Sequence, residues 1–290
     1  MDDVSLALVA DKYHGLSGID PDQNQAEYSS RRNPGSGRWL LNRPKFETWL
    51  ADDKQVLLCL GSPGTGKTML TSMVIDRLHE LFRNDSTVGV AFLYCNHRVE
   101  GQKPEVLVSS LLYQLLRRLP LVPTEFLSLD HDLAKVTTPP SVSDLLNLLE
   151  ILVTKLSKVY IVIDALDELS SSTRRLLLSG LLDLQATQHV NLLSMSRSLP
   201  DIVKRFEPFP RLMIQEGGHL QQDITKYINR RLDTLPDFAQ TPQIREKIVQ
   251  NVLEKSNGMS VYLHISIVLT DANQVLPCSA AIGIPCAGEE

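Results

Sequence analysis

The sequence predicts an α/β chain, with a parallel sheet covered by helices on both faces and followed by a small helical subdomain. Three observations carry this. Short apolar runs of strand length at 55–60, 88–95, 159–163, 191–196 and 211–214 alternate with longer segments of helical period. A glycine-rich octapeptide, Gly61 to Thr68, separates the first run from the first long helix. An acidic cluster starting at Asp164 closes the third run.

Residues 13–36 are rich in Gly, Asp, Gln, Asn, Ser and Pro and show no sustained hydrophobic period, so 1–36 reads as an extended lead-in. Trp39, Leu40, Phe46, Trp49 and Leu50 recur at helical spacing and predict one or two helices over 38–50. The run 55–60 ends at Gly61, the boundary of a buried parallel strand, and a helix over 67–82 follows. Strand 88–95 leads to an amphipathic helix over 104–119, marked by Val106, Leu107, Leu111, Leu112 and Leu115. Segment 141–156 repeats the helical pattern before strand 159–163. Then come a helix over 172–184, strand 191–196 and a fifth strand at 211–214. Beyond 220 only helical patterns remain, over 223–232 and 243–255. Alternation of strands with helices implies a parallel sheet. The expected division is a sheet domain over 37–217, a helical subdomain over 218–268 and an irregular tail over 269–290.

Composition narrows the function. Hydrophobic residues make up 43% and charged residues 22% of the 290, the usage of an ordinary globular protein. A net charge of -5 argues against a general electrostatic grip on nucleic acid, which needs clustered Lys and Arg. The first residues are acidic and their apolar run, 6–10, is short, so no export signal is expected. The apolar stretch 261–269 contains His264 and is about half of what a bilayer span needs. Cys59, Cys95, Cys278 and Cys286 lack paired metal spacing and read as reduced thiols in a cytoplasmic protein.

The octapeptide Gly61, Ser62, Pro63, Gly64, Thr65, Gly66, Lys67 and Thr68 fits G-x-x-x-x-G-K-[ST] in the strand-to-helix context that this pattern requires. Its glycines let successive backbone N–H groups turn inward around phosphates, and the following helix presents its positive end to the same charge. Lys67 would reach the β and γ phosphates and Thr68 would hold Mg²⁺. The chain is thus expected to have a P-loop NTPase sheet and to bind a purine nucleoside triphosphate. A P-loop calls for a second acid on Mg²⁺, and Asp164, after Tyr160, Ile161, Val162 and Ile163, supplies it at the sheet's C-terminal edge. Asp167 and Glu168 follow; one of them would orient or activate the attacking water, with an acidic turn capping the next helix as the bland alternative.

Arg197 ends the fourth strand, where a cation would sense the γ-phosphate; an ordinary surface arginine is the alternative. Arg174 and Arg175 are candidates for action across a subunit boundary, against a solvated helix face. The seven histidines show no metal or nucleophile spacing.

This constellation resembles the NACHT family of signal-transduction NTPases of the STAND class, especially its fungal, NLR-like members. Arg31, Arg32, Gly37, Trp39 and Trp49 resemble the segment that precedes the P-loop there. Asp164, Ala165, Leu166, Asp167 and Glu168 match the family's extended acidic motif, which is more specific than a plain Walker B. Ser196 and Arg197 resemble its sensor arginine, and 223–227 its helical segment after the sheet. The resemblance runs from about Leu16 to Gly258. It implies a sensor strand lying between the P-loop strand and the Asp164 strand, and a switch whose nucleotide state controls homo-oligomerisation in innate-immune signalling. After Asn257, Gly258 and Met259 the chain departs from the family's helical continuation, which reads as an altered or truncated C-terminus without the repeat domain.

Three functions follow as expectations. The first is a cytoplasmic switch that binds ATP or GTP with Mg²⁺ and hydrolyses it slowly. The second is an active AAA-like ATPase, which needs a partner arginine. The third is an interaction fragment without turnover. No Asn-Lys-x-Asp guanine signature stands out, which favours ATP over GTP.

Overall fold

The computed structural model describes residues 3–18, 20–96, 102–134, 139–215, 218–233 and 242–256. Five parallel strands form one sheet: β1 (Val56–Leu60), β2 (Val88–Tyr94), β3 (Lys158–Asp164), β4 (Val190–Ser196) and β5 (Arg211–Met213), in the order β2-β3-β4-β1-β5. β4 therefore lies between β1 and β3, as the resemblance implies. Val56 is level with Leu192 and Val159 with Val190, so β1 and β3 bring their C-terminal ends to one edge of the sheet.

Strands β1, β2 and β4 are buried at every position, and β3 at all but Lys158. Burial on both faces is why these strands read as continuous apolar runs and not as alternating ones. Alternate residues feed two separate cores. Val56, Leu58, Val159, Ile161, Val190 and Leu192 face one, and Leu57, Cys59, Tyr160, Val162, Leu193 and Met195 face the other.

The first core is closed by α1 (Asp3–Ser17), α6 (Pro104–Leu116), α7 (Thr124–Ala134), α8 (Val142–Thr154), α9 (Ser171–Thr187) and α10 (Pro200–Arg205). Leu107, Leu111 and Leu115 of α6 are fully buried there. Truncating any one to Ala would cost about 2–5 kcal/mol, the transfer term plus the cavity left behind. The second core is closed by α3 (Arg38–Leu41), α4 (Pro44–Ala51) and α5 (Lys67–Leu81), with Tyr28 of α2 (Pro21–Arg31) packed against it. Helices thus cover both faces, as the pattern predicts.

Residues 1–36 differ from the expectation of an extended lead-in, because 3–17 and 21–31 are helical. α1 places Ala10 and Tyr13 in the first core. α2 carries almost no apolar signal because it docks through polar groups. Gln25 donates to Ser72 O (2.9 Å) and Asp76 Oδ1 (2.6 Å), Ser29 to Asp76 Oδ2 (2.7 Å), and Arg32 to Asp76 Oδ2 (2.8 Å). α7 is a further helix with no counterpart in the sequence reading.

The chain divides into two compact units, Met1–Ser62 with Gly66–Glu216, and Pro63–Thr65 with Gly217–Glu290. In the second, α11 (His219–Leu232) and α12 (Pro242–Ser256) pack together, and Arg245 donates to Asn229 O (3.0 Å) and Asp233 Oδ1 (2.6 Å). The tail expected over 269–290 lies outside the described residues, as do His264, Cys278 and Cys286. Cys59 and Cys95 are buried and unbridged. No described helix is long and apolar enough to cross a membrane.

Candidate nucleotide site

At the C-terminal edge of the sheet the octapeptide leaves β1 at Gly61, whose N–H donates to Ser196 O of β4 (3.0 Å). Gly64 and Gly66 take φ of +79° and +81°, the left-handed region that favours glycine, and Gly66 caps α5 at Lys67. Lys67 Nζ donates to Gly61 O (2.9 Å) and Ser62 O (3.0 Å). Burial pulls its pKa below the ordinary value, and the charges of Asp167 and Asp164 oppose that pull.

β3 delivers Asp164 to the same edge, where its side chain is 2% exposed. Thr68 Oγ1 donates to its Oδ2 (2.6 Å) and Thr71 Oγ1 to its Oδ1 (2.9 Å). Burial raises its pKa to about 6 against the pull of these two hydroxyls and of Lys67. Thr68 and Asp164 thus lie in direct contact, as the sequence reading requires. Thr71 is an addition to it. Its signal is spacing alone, since three residues after Thr68 on a helix falls on the same face.

Ala165 follows with φ +50°, uncommon for a residue with a Cβ, and starts a 3-10 turn over Leu166–Glu168. Strain of this kind gathers at functional sites, where the surroundings hold it in place. The turn aims two acids differently. Asp167 Oδ1 accepts from Arg197 N (2.9 Å) and Ser196 Oγ (3.4 Å), and Oδ2 from Arg197 Nε (2.8 Å). Its side chain is only 4% exposed, whereas that of Arg197 is 46% exposed. Glu168 Oε1 lies 3.9 Å from Arg197 Nη2, with the Glu168 side chain 23% exposed. The three candidates Asp167, Glu168 and Arg197 therefore form one cluster.

Arg174 departs from the finger reading. It is 6% exposed and donates to Leu169 O (2.9 Å), to Asp167 O (3.5 Å) and, through Nε, to Asp201 Oδ2 (3.1 Å). A guanidinium so enclosed braces the acidic turn and cannot reach another subunit. Arg175 is exposed. A further residue invisible to the motif search is Tyr28 of α2, whose ring centroid lies 4.7 Å from that of Tyr94, the β2 residue level with Asp164. Burial, then the charge of Asp164, raises the pKa of its phenol.

The oxygen set of Thr68 and Asp164 suits Mg²⁺, which takes one or two protein ligands and fills its octahedron with water and phosphate oxygens. In keeping with so sparse a set, no cluster of three or more His, Cys, Asp or Glu fit for a metal occurs among the described residues. Ser62, Gly66 and Lys67 fit phosphate through backbone N–H groups and one cation, while the Gly61 N–H is taken by Ser196 O. Pro63, Gly64 and Thr65 complete the octapeptide in sequence.

Comparison with known proteins agrees with this chemistry. The model of the family described as Nephrocystin 3, N-terminal, matches residues 35–197, from before α3 to Arg197. The vegetative incompatibility protein HET-E-1 of Podospora anserina is 26% identical over 240 residues, covering 78% of this chain. The chain spans 17% of that relative's length. Among solved structures, Cdc6p of Pyrobaculum aerophilum superposes with a TM-score of 0.50 at 16% identity over 88% of this chain and 66% of its own, a likeness of fold. A Walker-type ATPase of Pyrococcus abyssi gives 0.48 at 12% identity over 78% of this chain and 66% of its own. The family match takes in β1, the octapeptide, the acidic turn and the β4 arginine, more than half of the residues. The chain belongs to the Nephrocystin 3, N-terminal family, and is a P-loop NTPase of the NACHT type, similar to fungal NLR-like proteins.

Proposed function

We propose that this chain is a nucleotide-dependent signalling switch, which binds ATP or GTP with Mg²⁺, hydrolyses it slowly and changes its homo-oligomeric state with the nucleotide bound. It would act in the cytoplasm, in a defence pathway of the kind that the likeness to a vegetative incompatibility protein suggests. Nucleotide binding follows from the family; the switch rests on one observation, the pairing of Arg197 with Asp167.

The backbone N–H groups of Ser62 and Gly66 and the Lys67 ammonium would bind the phosphates. Thr68 and Asp164 would hold Mg²⁺, which would supply charge neutralisation for the triphosphate. Glu168, the more exposed acid of the turn, orients water, while Asp167 is taken up by Arg197 and Ser196. Arg197 can satisfy its charge in two ways, on Asp167 or on a γ-phosphate. A side chain with two competing anionic partners is a bistable element, and the ligand biases it by its differential affinity.

Calorimetric titration of ATP and GTP with Mg²⁺ into the wild-type chain and into Lys67→Ala, followed by phosphate release on the same samples, tests this reading. Binding lost in the variant, with turnover below about one per second, supports the switch. Steady turnover of roughly tens per second supports an AAA-like ATPase instead. Equal behaviour of the two proteins leaves an interaction fragment without turnover.

A further inference from the structure

β2 is one edge of the sheet, and the outward backbone groups of its residues Val88, Val90 and Phe92 can be accounted for one residue at a time. Thr87 O accepts from Ser157 N, and Cys95 N donates to Asp164 O, so the odd-numbered residues of β2 bond to β3. The even-numbered residues point outward. At Val88 the N–H donates to Asp85 O (3.4 Å) and the carbonyl accepts from Arg118 Nε (3.3 Å). At Phe92 the N–H donates to Gln114 Oε1 (3.0 Å) and the carbonyl accepts from Gln114 Nε2 (2.9 Å). Gln102 does the same further on, accepting from Asn96 N (3.0 Å) and donating to Tyr94 O (3.5 Å). Between these satisfied positions, Val90 N–H and C=O point outward with no partner among the described residues.

Val90 lines a cavity of about 200 Å³ together with Asp22, His79, Phe92, Gln114, Arg117 and Arg118. That is several times the roughly 30 Å³ share of one water. The guanidinium groups around it are already engaged. Arg117 bridges to Asp22 (2.6 Å), and Arg118 donates to the carbonyls of Val88, Phe82 and Asp85. Burial and the nearby Arg118 hold the His79 imidazole below its ordinary pKa, on the neutral side. A ligand with a donor and an acceptor side by side suits the outward pair of Val90.

We propose that this notch binds a small molecule bearing a primary carboxamide, held by the N–H and C=O of Val90. The edge itself displays the chemistry, since Gln114 places a carboxamide on the same pair of groups two residues along. The site is separate from the nucleotide-binding residues, and the proposal does not depend on the switch reading.

The test is a titration of the full ¹⁵N-labelled chain with propionamide and benzamide, against propionate and benzoate, following the Val90 amide resonance. Saturable movement of that resonance with both amides is expected, with the Gln114-paired Phe92 amide moving far less. The carboxylates lack the donor and should bind at least about tenfold more weakly, because they leave the Val90 carbonyl unpaired. Val90→Pro removes an outward N–H, which an edge strand tolerates, at some cost in packing because the valine side chain lies in the second core, and should abolish amide binding measured by calorimetry. A Val90 amide that does not respond, equal responses to amide and carboxylate, or unchanged affinity in Val90→Pro would overturn the proposal. So would a response confined to a capped Gly-Gln-Gly peptide, which would assign the notch to a partner's side chain. If Val90→Pro fails to fold, the wild-type titration decides alone.

Discussion

Arg197 grips Asp167 twice, through its Nε on one carboxylate oxygen (2.8 Å) and its backbone N–H on the other (2.9 Å). The two contacts differ in kind. The guanidinium is half-exposed and exchanges with water at small cost, whereas the backbone bond fixes the end of β4 against the acidic turn.

The two halves of this contact should therefore separate on mutation. Arg197→Ala removes the half-exposed guanidinium and keeps the backbone bond to the nearly buried Asp167, and is expected to cost about 1 kcal/mol of stability, while slowing phosphate release roughly ten- to a hundredfold. Asp167→Ala leaves Arg197 N without its acceptor, whereas Ser196 Oγ keeps Arg197 O (2.8 Å), and should cost about 1–3 kcal/mol. Urea denaturation of both variants, beside phosphate release, checks the pair. Equal stability losses would mean that the guanidinium and not the backbone bond carries the contact.

Asp164 should make the unliganded protein lose stability as pH rises. Its carboxyl titrates at about 6 when folded, against an ordinary value of 3.8 that stands for the unfolded chain. Between those values the folded state binds more protons, so the contribution is full below about 4 and lost as pH climbs through about 6. At full amplitude it is worth roughly 3 kcal/mol. Many other carboxylates titrate in the same range, so the informative quantity is the difference between wild type and Asp164→Asn. The variant is expected to be the more stable protein at pH 7, with the gap closing towards pH 4, and to lose Mg²⁺-dependent nucleotide binding. Thermal melts over pH 4 to 8 without nucleotide give the first result, and calorimetry at pH 7 the second. Wild-type Mg²⁺–nucleotide affinity should itself fall below about pH 6, where the carboxylate is protonated.

Thr71 is fully buried, and its hydroxyl holds the Asp164 oxygen that Thr68 does not. Thr71→Val keeps the shape and removes the donor, so Asp164 loses one of the two hydroxyls that oppose its burial. A cost of about 1–2 kcal/mol in stability is expected, with nucleotide affinity in Mg²⁺ weakened roughly tenfold. Thr71→Ser should restore both. The check is the magnesium dependence of nucleotide binding, because a merely structural role would weaken binding equally with and without the metal.

Most of the sheet and the geometry of the candidate site are legible in the sequence for a simple physical reason. Strands buried on both faces must be apolar throughout, and a phosphate loop must carry glycines at positive φ followed by Lys and Thr, so both leave dense local patterns. α2 leaves none, because Gln25, Ser29 and Arg32 dock it on Asp76 by hydrogen bonds, and polar contacts have no period. The division between Asp167 and Glu168 is equally silent. Adjacent acids look alike in sequence, and only the position of Arg197, 29 residues after Glu168, tells which one is occupied. Arg174 misleads for the opposite reason. An arginine after an acidic motif suggests a charge aimed outward, yet the first turns of α9 rotate it into the protein and leave Arg175 outside.

That rotation supplies a clear contrast between two adjacent arginines. Arg174 donates to Leu169 O and Asp167 O in the acidic turn, and to Asp201 at the start of α10, just past Arg197. It therefore ties the acid-bearing turn to the segment that follows Arg197. Arg174→Leu fills similar space but leaves a buried carbonyl unsatisfied, and should cost about 2–4 kcal/mol while lowering turnover of bound nucleotide more than affinity for it. Arg174→Lys keeps the charge and loses the fork that reaches the turn and α10 together, so it should recover part of the stability and little of the turnover. Arg175→Ala, on the exposed side of the same helix, should change stability by less than about 0.5 kcal/mol and leave turnover as it was. Single-turnover phosphate release beside equilibrium nucleotide binding distinguishes these outcomes. If Arg175→Ala alone slowed hydrolysis, and only at concentrations where the chain self-associates, Arg175 would be the residue that acts across subunits.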